Sequence, residues 1–289
     1  MSRPDPPPLS DAPLAPGLYV TATPIGNLRD VTLRALDVLN ACDLVLAEDT
    51  RVTAKLLTAY QLSKPMQRFD EHAAAQAMPK ILERLAAGAR IALCSDAGTP
   101  LVSDPGSRLV AAALAQGSKV FPLPGASAVL AAVVAAGLPS DRFLFAGFAP
   151  PKGAARDRFF TELAPVPASL VFFESQSRVA SSLAAMARAF GDRPAVVARE
   201  LTKLHETCHR GTLLSLSADP ALADPKGEIV IVVGPPLAAA PSSVEDADAL
   251  LDEAMARLSP GEAASEIAKR LGLPRKAIYA RALSRKAAS

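Results

Sequence analysis

Tryptophan is missing from this chain and tyrosine occurs only three times in 289 residues, so recognition built on many stacked aromatic rings has little to work with. Cysteine is almost as scarce. Cys42, Cys94 and Cys208 are odd in number, far apart and without CxxC or Cys/His spacing, which argues against a disulfide framework and against a zinc site, so no metal is expected. An excess of one charge is also lacking: 31 Lys and Arg against 29 Asp and Glu leave +2, so any electrostatic footprint for a nucleic acid must be local. No apolar run reaches bilayer length without a charge, Gly or Pro, the Ala-rich stretch 126–138 being too short to span. The N-terminal residues lack the apolar core of a signal peptide. A soluble, cytoplasmic chain without a membrane partner is the expectation.

What is present is regular alternation. The first sixteen residues, MSRPDPPPLSDAPLAP, hold too many prolines for helix or sheet and read as a disordered lead-in at 1–16. Short apolar runs at 18–22, 44–47, 91–94 and 120–123 then alternate with amphipathic stretches at 33–39, 54–62, 81–85 and 109–114. That pattern predicts a mostly parallel sheet covered by helices over residues 17–124. A second series at 143–148, 159–163, 170–173, 179–190, 195–199 and 229–233 predicts a second α/β domain over 125–236. GPPLAAAPSS, from Gly234, loses both periodicities and reads as a linker. In the remainder of 237–289, Leu250, Leu251, Met255 and Leu258 recur at helical spacing, Ser259 to Glu262 (SPGE) opens a helix, and Gly272-Leu273-Pro274 breaks it before another through Ile278, Tyr279 and Leu283. This is a helix-turn-helix pattern in which Lys269, Arg270, Arg275, Lys276, Arg281, Arg285 and Lys286 face few acids. It is either a solvated face or a nucleic-acid contact.

Four Gly- or Pro-bearing or acidic segments follow predicted strands, where open α/β sheets bind ligands. Thr21 to Leu28 (TATPIGNL) has one Gly, and neither GxGxxG nor the GK[ST] of a phosphate-cradling loop. Ser95 to Gly106 (SDAGTPLVSDPG) is turn-rich enough for its amides to approach a ligand, and Asp104-Pro105 is placed to cap the helix through Leu109. Pro124 to Ser127 (PGAS) opens an Ala-rich helix whose N-terminal amides suit a carboxylate. Ala47 to Arg51 (AEDTR) sets Glu48, Asp49 and Arg51 where the sheet meets a cleft, as catalytic groups or as a helix cap with a surface ion pair.

TPIGNLRDVTLRAL, AEDTR, SDAGTPLVSDPG, PGASA and, at Ala198 to Glu206, ARELTKLHE together resemble the ordered motifs of the ribosomal RNA small subunit methyltransferase I family, within the tetrapyrrole methylase superfamily. The match runs from about Gly17 to Val233, and the basic tail resembles that family's C-terminal domain. The resemblance implies two α/β domains of the tetrapyrrole methylase type with a cofactor cleft between them, plus a small all-helical C-terminal domain. It implies a homodimer, S-adenosylmethionine in the cleft, and methyl transfer to the ribose 2′-hydroxyl of a decoding-centre cytidine in 16S ribosomal RNA, within the small ribosomal subunit. By position, Pro24, Ile25 and Gly26, then Asp96, Ala97, Gly98 and Thr99, then Ser127 and Ala128, match cofactor-contacting loops. Phe173 and the strand around 228–231 match segments near the adenine. Two departures stand out: Phe69-Asp70 replaces a usual tyrosine-histidine pair, and Glu174-Ser175-Gln176-Ser177-Arg178 replaces ESPHR, so no catalytic role follows for Ser177.

A ribose hydroxyl is a poor nucleophile whose proton needs an acceptor. Glu48, Asp49 and His72 are candidate bases, with Lys203 and Arg51 placed to polarise the hydroxyl or hold a flanking phosphate. His72 reads equally as a helix-start residue, and Glu200, Lys203 and Glu206 as a salt-bridged helix face. Tyr279 and Phe148 are stacking candidates or core residues. Two rival readings share these features: a methylase of a cobalamin or sirohaem precursor, and a DNA-binding regulator with an α/β sensor.

Overall fold

The structure, a computed structural model, describes residues 9–10, 12–102, 106–236, 247–271 and 273–288. The expected Asp104-Pro105 cap and the linker from 237 lie outside the described residues. The first half runs β1 (Gly17–Thr21), α1 (Leu33–Ala41), β2 (Leu44–Ala47), α2 (Thr50–Ala59), β3 (Met66–Arg68), α3 (Glu71–Ala86), β4 (Arg90–Cys94), α4 (Ser107–Ala115) and β5 (Val120–Leu123). The strands form one sheet in the order β3-β2-β4-β1-β5, every pairing parallel. β1 and β2 are buried throughout because helices cover both faces, which is why they read as unbroken apolar runs. Side chains alternate between the layers: Leu18, Leu46, Ile91 and Leu93 pack under α3 and α4, whereas Tyr19, Val45, Ala92 and Cys94 pack under α1 and α2. Thr32, Asp49 and Asp70 cap α1, α2 and α3 through side-chain oxygens that accept first-turn amides.

The Pro-rich lead-in is seated on this layer where it is described. Leu9 and Leu14 pack against the core, the Tyr19 hydroxyl donates to the Ala15 carbonyl at 2.7 Å, and the Ser10 amide donates to Asp37 Oδ1 at 2.7 Å. Proline prevents a ladder there but leaves the leucines free to dock.

The second half runs α5 (Ala128–Ala136), β6 (Phe143–Phe148), α6 (Gly153–Leu163), β7 (Ser169–Glu174), α7 (Val179–Phe190), β8 (Pro194–Arg199), β9 (Thr207–Thr212), α8 (Leu213–Ser217) and β10 (Ile229–Val233). Its sheet order is β6-β7-β10-β8-β9, and only β6 with β7 is parallel. The chain reverses at β9, a half-exposed polar strand (TCHRGT) without an apolar run, which returns on β8 as a hairpin. One face of the sheet packs Phe172, Val197 and Ile231 on α6, α7 and α8, while the other sets Val171, Val196 and Val230 against α5 and against Ile25 of the first half.

Both sheets belong to one compact unit, and a second unit begins at Pro236. In it α9 (Ala247–Met255), α10 (Pro260–Leu271) and α11 (Arg275–Ala288) enclose Leu251, Ala264, Ile267, Ile278 and Ala282. The expected start of α10 is seen: Ser259 donates from its amide and hydroxyl to Glu262 Oε2 at 3.1 and 2.6 Å. Cys42 and Cys94 are buried free thiols and Cys208 is half-buried. No described helix is long and apolar enough to cross a membrane.

Phe172 is fully buried, its ring centroid 5.5 Å from Phe160 and 6.2 Å from Phe190. Phe172→Ala is expected to cost about 3–5 kcal/mol by leaving a cavity, read as a lower urea midpoint for the unit that carries both sheets.

Candidate functional site

The four segments singled out by sequence converge where parallel strands end. They follow β1, β2, β4 and β5, at the carboxyl edge of the first sheet. Two of the loops are bolted together by backbone: the Thr23 amide donates to the Gly98 carbonyl at 2.8 Å and the Gly98 amide returns to Thr23 at 3.0 Å. Thr23 Oγ1 also donates to the Ser95 carbonyl, and Thr99 Oγ1 to that of Ala126, both at 3.2 Å. Gly98 has φ +80°, and a Cβ there would lie 3.2 Å from Ile25 Cγ2. Three residues on, Leu101 also has a positive φ, at 74°, so the loop stores strain beside the cleft.

The cleft holds about 920 Å³ of empty space, open solvent included. Seven of the ten sequence-matched residues line it: Ile25, Ala97, Gly98, Thr99, Ser127, Ala128 and Phe173. Ser127 caps α5, its Oγ accepting from the Leu130 amide at 3.4 Å, so the first-turn amides of that helix begin at the cleft. Phe173 is held edge-on by Phe145 and Phe148, centroids 4.8 and 5.5 Å away. Glu228, Ile229 and Val230 are at the wall, in the segment matched with Phe173. Val102, Ala198 and Leu201 line it too and were not foreseen, since each reads as an ordinary apolar residue.

Pro24, Gly26 and Asp96 line a second, adjoining chamber, with about 940 Å³ of empty space, open solvent included, that shares Ile25, Ala97 and Glu228 with the first. Lys203 crosses it. Its stem lies so close to Gly26 that a Cβ there would be 2.4 Å from Lys203 Cγ, and its Nζ donates to Glu200 Oε1 at 2.8 Å and Glu228 Oε2 at 3.0 Å. The helix-face reading of ELTKLHE is overturned. The segment is a turn between β8 and β9, with Glu200 at φ 53° and Thr202 at φ 66°, angles no α-helix accepts. The turn is held from both sides: the Glu228 amide donates to Glu200 Oε1 at 2.8 Å, and the Asn27 amide to Thr202 Oγ1 at 3.2 Å. Burial draws the Lys203 pKa down, but the hydrogen bonds to Glu200 and Glu228 outweigh it, leaving it raised and the amine protonated.

The AEDTR carboxylates differ in state. Asp49 Oδ1 accepts from the Arg51 amide at 2.8 Å and Asp49 pairs with its guanidinium at 2.6 Å, which holds its carboxyl at about 2. The Arg51 side chain is 87% exposed. Glu48 is pushed up by burial and then by the Asp96 carboxylate, whose Oδ1 accepts from the Asp49 amide at 2.9 Å. The His72 side chain lies outside those described. At the second departure, Arg178 pairs with the buried Glu174 at 2.7 Å, a structural tie, and Gln176 Oε1 accepts from the Gly227 amide at 3.2 Å, whereas Ser177 is exposed. Among the described residues, no group of three or more His, Cys, Asp or Glu is placed to hold a metal ion.

The family model of the tetrapyrrole (corrin/porphyrin) methylases matches residues 17–217, and that of the RsmI C-terminal HTH domain matches 241–286. A solved diphthine synthase aligns at TM-score 0.59 and 15% identity, covering 75% of this chain and 89% of that one. A uroporphyrin-III C-methyl transferase from Thermus thermophilus, complexed with S-adenosyl homocysteine, aligns at 0.54 and 20% identity, covering 75% and 97%. The two sheets thus define a tetrapyrrole methylase fold. Ribosomal RNA small subunit methyltransferase I of Mesorhizobium japonicum is 51% identical over 95% of this chain and 94% of its own, and that of Erythrobacter litoralis 51% over 96% and 98%. This chain belongs to the ribosomal RNA small subunit methyltransferase I family.

Gly98→Ala forces a side chain into a left-handed backbone. It is expected to destabilise the fold by about 1–2 kcal/mol, seen as a lowered Tm, and more if Ile25 cannot yield.

Proposed function

We propose that this protein transfers the methyl group of S-adenosylmethionine to the ribose 2′-hydroxyl of a cytidine in the decoding centre of 16S ribosomal RNA, acting in the cytoplasm on the small ribosomal subunit. The observation that carries the reading is the pair of chambers with a common wall at Ile25, Ala97 and Glu228, one suited to the cofactor and the other to the acceptor. Similarity to rRNA methyltransferases over nearly the whole chain, the C-terminal unit included, favours RNA over a tetrapyrrole precursor or a regulator's ligand. A homodimer is part of the proposal, supported by apolar Leu130 and Val134 standing exposed one turn apart on α5.

The first cleft fits the cofactor. Phe173, Ala198 and Val230 offer apolar surface for a base, the α5 N-terminus offers amides for a carboxylate, and Gly98 lets backbone come close. The bound cofactor's sulfonium supplies an already activated methyl group, so the protein's task is to align the acceptor oxygen and receive its proton. In the acceptor chamber the protonated Lys203 polarises the hydroxyl or holds a flanking phosphate, kept in place by Glu200 and Glu228. Asp96 lines the same chamber with Glu48 behind it, and this carboxyl pair takes up the proton. Asp49 and Arg51 neutralise each other at the start of α2 and position Asp96 through the Asp49 amide.

Labelled methyl groups should pass from S-adenosylmethionine to ribosomal RNA in small subunits from a strain lacking this protein, making one cytidine linkage resistant to alkali. Binding of the cofactor without transfer to subunits or naked RNA would sink the reading.

The raised Glu48 sets a pH test. A base works only when deprotonated, so kcat should fall as pH drops through a value above the usual carboxylate range. Glu48→Gln should remove that limb and slow transfer by about 10²–10⁴-fold. Stability should move the other way: a carboxyl with a raised folded-state pKa contributes stability below its unfolded value and loses it as pH rises through the folded one. Glu48→Gln should therefore melt no lower than the parent at pH 7, which thermal denaturation will read.

A further inference from the structure

Ion pairs take up part of the C-terminal unit's charge. On α9, Asp248 engages Arg281 Nη2 at 2.9 Å and Arg285 Nη1 at 3.0 Å, and Asp252 engages Arg285 Nε at 2.6 Å. Glu266 pairs with Arg257 at 2.6 Å, and Glu262 is taken up by Ser259. Two of the seven basic residues expected to face few acids are thus neutralised. Lys269, Arg270, Lys276 and Lys286 make no ion pair or hydrogen bond among the described residues, and Arg275 donates from Nε to Ser265 Oγ at 2.7 Å. These unneutralised cations gather at the end of α10 and along α11.

On α11 the exposed positions form a stripe. Lys276, Tyr279, Leu283 and Lys286 recur three to four residues apart, beside the buried Ile278 and Ala282 and opposite Arg281 and Arg285. Tyr279 is 41% exposed and Leu283 46%. An exposed ring between lysines, with Asp248 and Asp252 engaged by Arg281 and Arg285, matches what an unpaired polynucleotide requires: cations along the backbone and a flat face on which a base can stack. A-form duplex RNA offers Tyr279 no base face to stack on, because its bases are already stacked within the helix.

We infer that the α10–α11 corner of the C-terminal unit is a docking surface for single-stranded RNA, with phosphates on Lys269, Arg270, Lys276 and Lys286 and a base stacked on Tyr279. The inference rests on the RNA reading above and adds a site that sets affinity without entering the chemistry.

The test uses the full chain, a labelled single-stranded ribosomal RNA fragment, and duplex RNA and duplex DNA of the same sequence, followed by fluorescence anisotropy across a salt series. Tyr279→Ala should weaken single-strand binding at least about 5-fold, and Tyr279→Phe should restore it. Lys276→Gln with Lys286→Gln should flatten the slope of log affinity against log salt by about 0.7 for each lysine lost. Methyl transfer by these variants should show a raised KM at an unchanged kcat. Unchanged affinity in all variants overturns the inference, as does tighter binding of duplex DNA than of the single strand. If the variants lose RNA affinity while the parent methylates no RNA, the proposed reaction fails and this surface stands. If the parent methylates RNA and the variants match its KM, the surface fails and the reaction stands.

Discussion

The reciprocal backbone pair between Thr23 and Gly98 is the contact on which the site depends. It joins the loop after β1 to the loop after β4, and the Thr99 hydroxyl extends the tie to the segment that opens α5. Strands of one parallel sheet end side by side, but nothing in a parallel ladder holds the loops beyond their ends at fixed separation. Two amide-carbonyl bonds supply that constraint, and the left-handed backbone at Gly98 makes them possible. Ile25 is thereby presented to the face of the second sheet, where it packs with Val171, Val196 and Val230 as part of the joint between the two halves.

Around this frame the charged groups are held in opposed states by their neighbours. Arg51 keeps Asp49 ionised well below the usual carboxylate range, whereas burial and Asp96 push Glu48 up, although the two are adjacent in sequence. Lys203 stays charged in a half-buried place because two carboxylates meet it. Such separation of states among close groups is what proton transfer at neutral pH requires. It also costs stability at Glu48, where a buried carboxylate is poorly matched.

Much of this was legible in the chain. Apolar runs of four to six residues mark the central strands because a strand covered on both faces must be apolar throughout. The loop motifs are dense in Gly, Pro and Asp because tight turns beside a ligand need those backbones. What escaped is equally physical. β3 and β9 are edge strands, short or half-exposed, and carry no hydrophobic signal. Glu200, Lys203 and Glu206 keep helical spacing by coincidence, and only the positive φ angles at Glu200 and Thr202 show that the chain turns there. In the tail, seven basic residues look alike until α9 brings Asp248 and Asp252 against Arg281 and Arg285.

The sequence by itself determined many local choices: which apolar runs become the central strands, where helices are capped, where the backbone needs glycine, and which family the chain belongs to. These rest on interactions spanning a few residues, and a linear pattern records them. Tertiary structure alone decided which residues share a wall. Gly26 meets Lys203 across 177 positions of sequence, and Glu228 borders both chambers. The protonation states of Glu48 and Asp49, and the division of the tail's cations into those with and those without an acidic partner among the described residues, follow from the same cause. Burial and Coulomb energy depend on distance in space, which sequence separation does not encode.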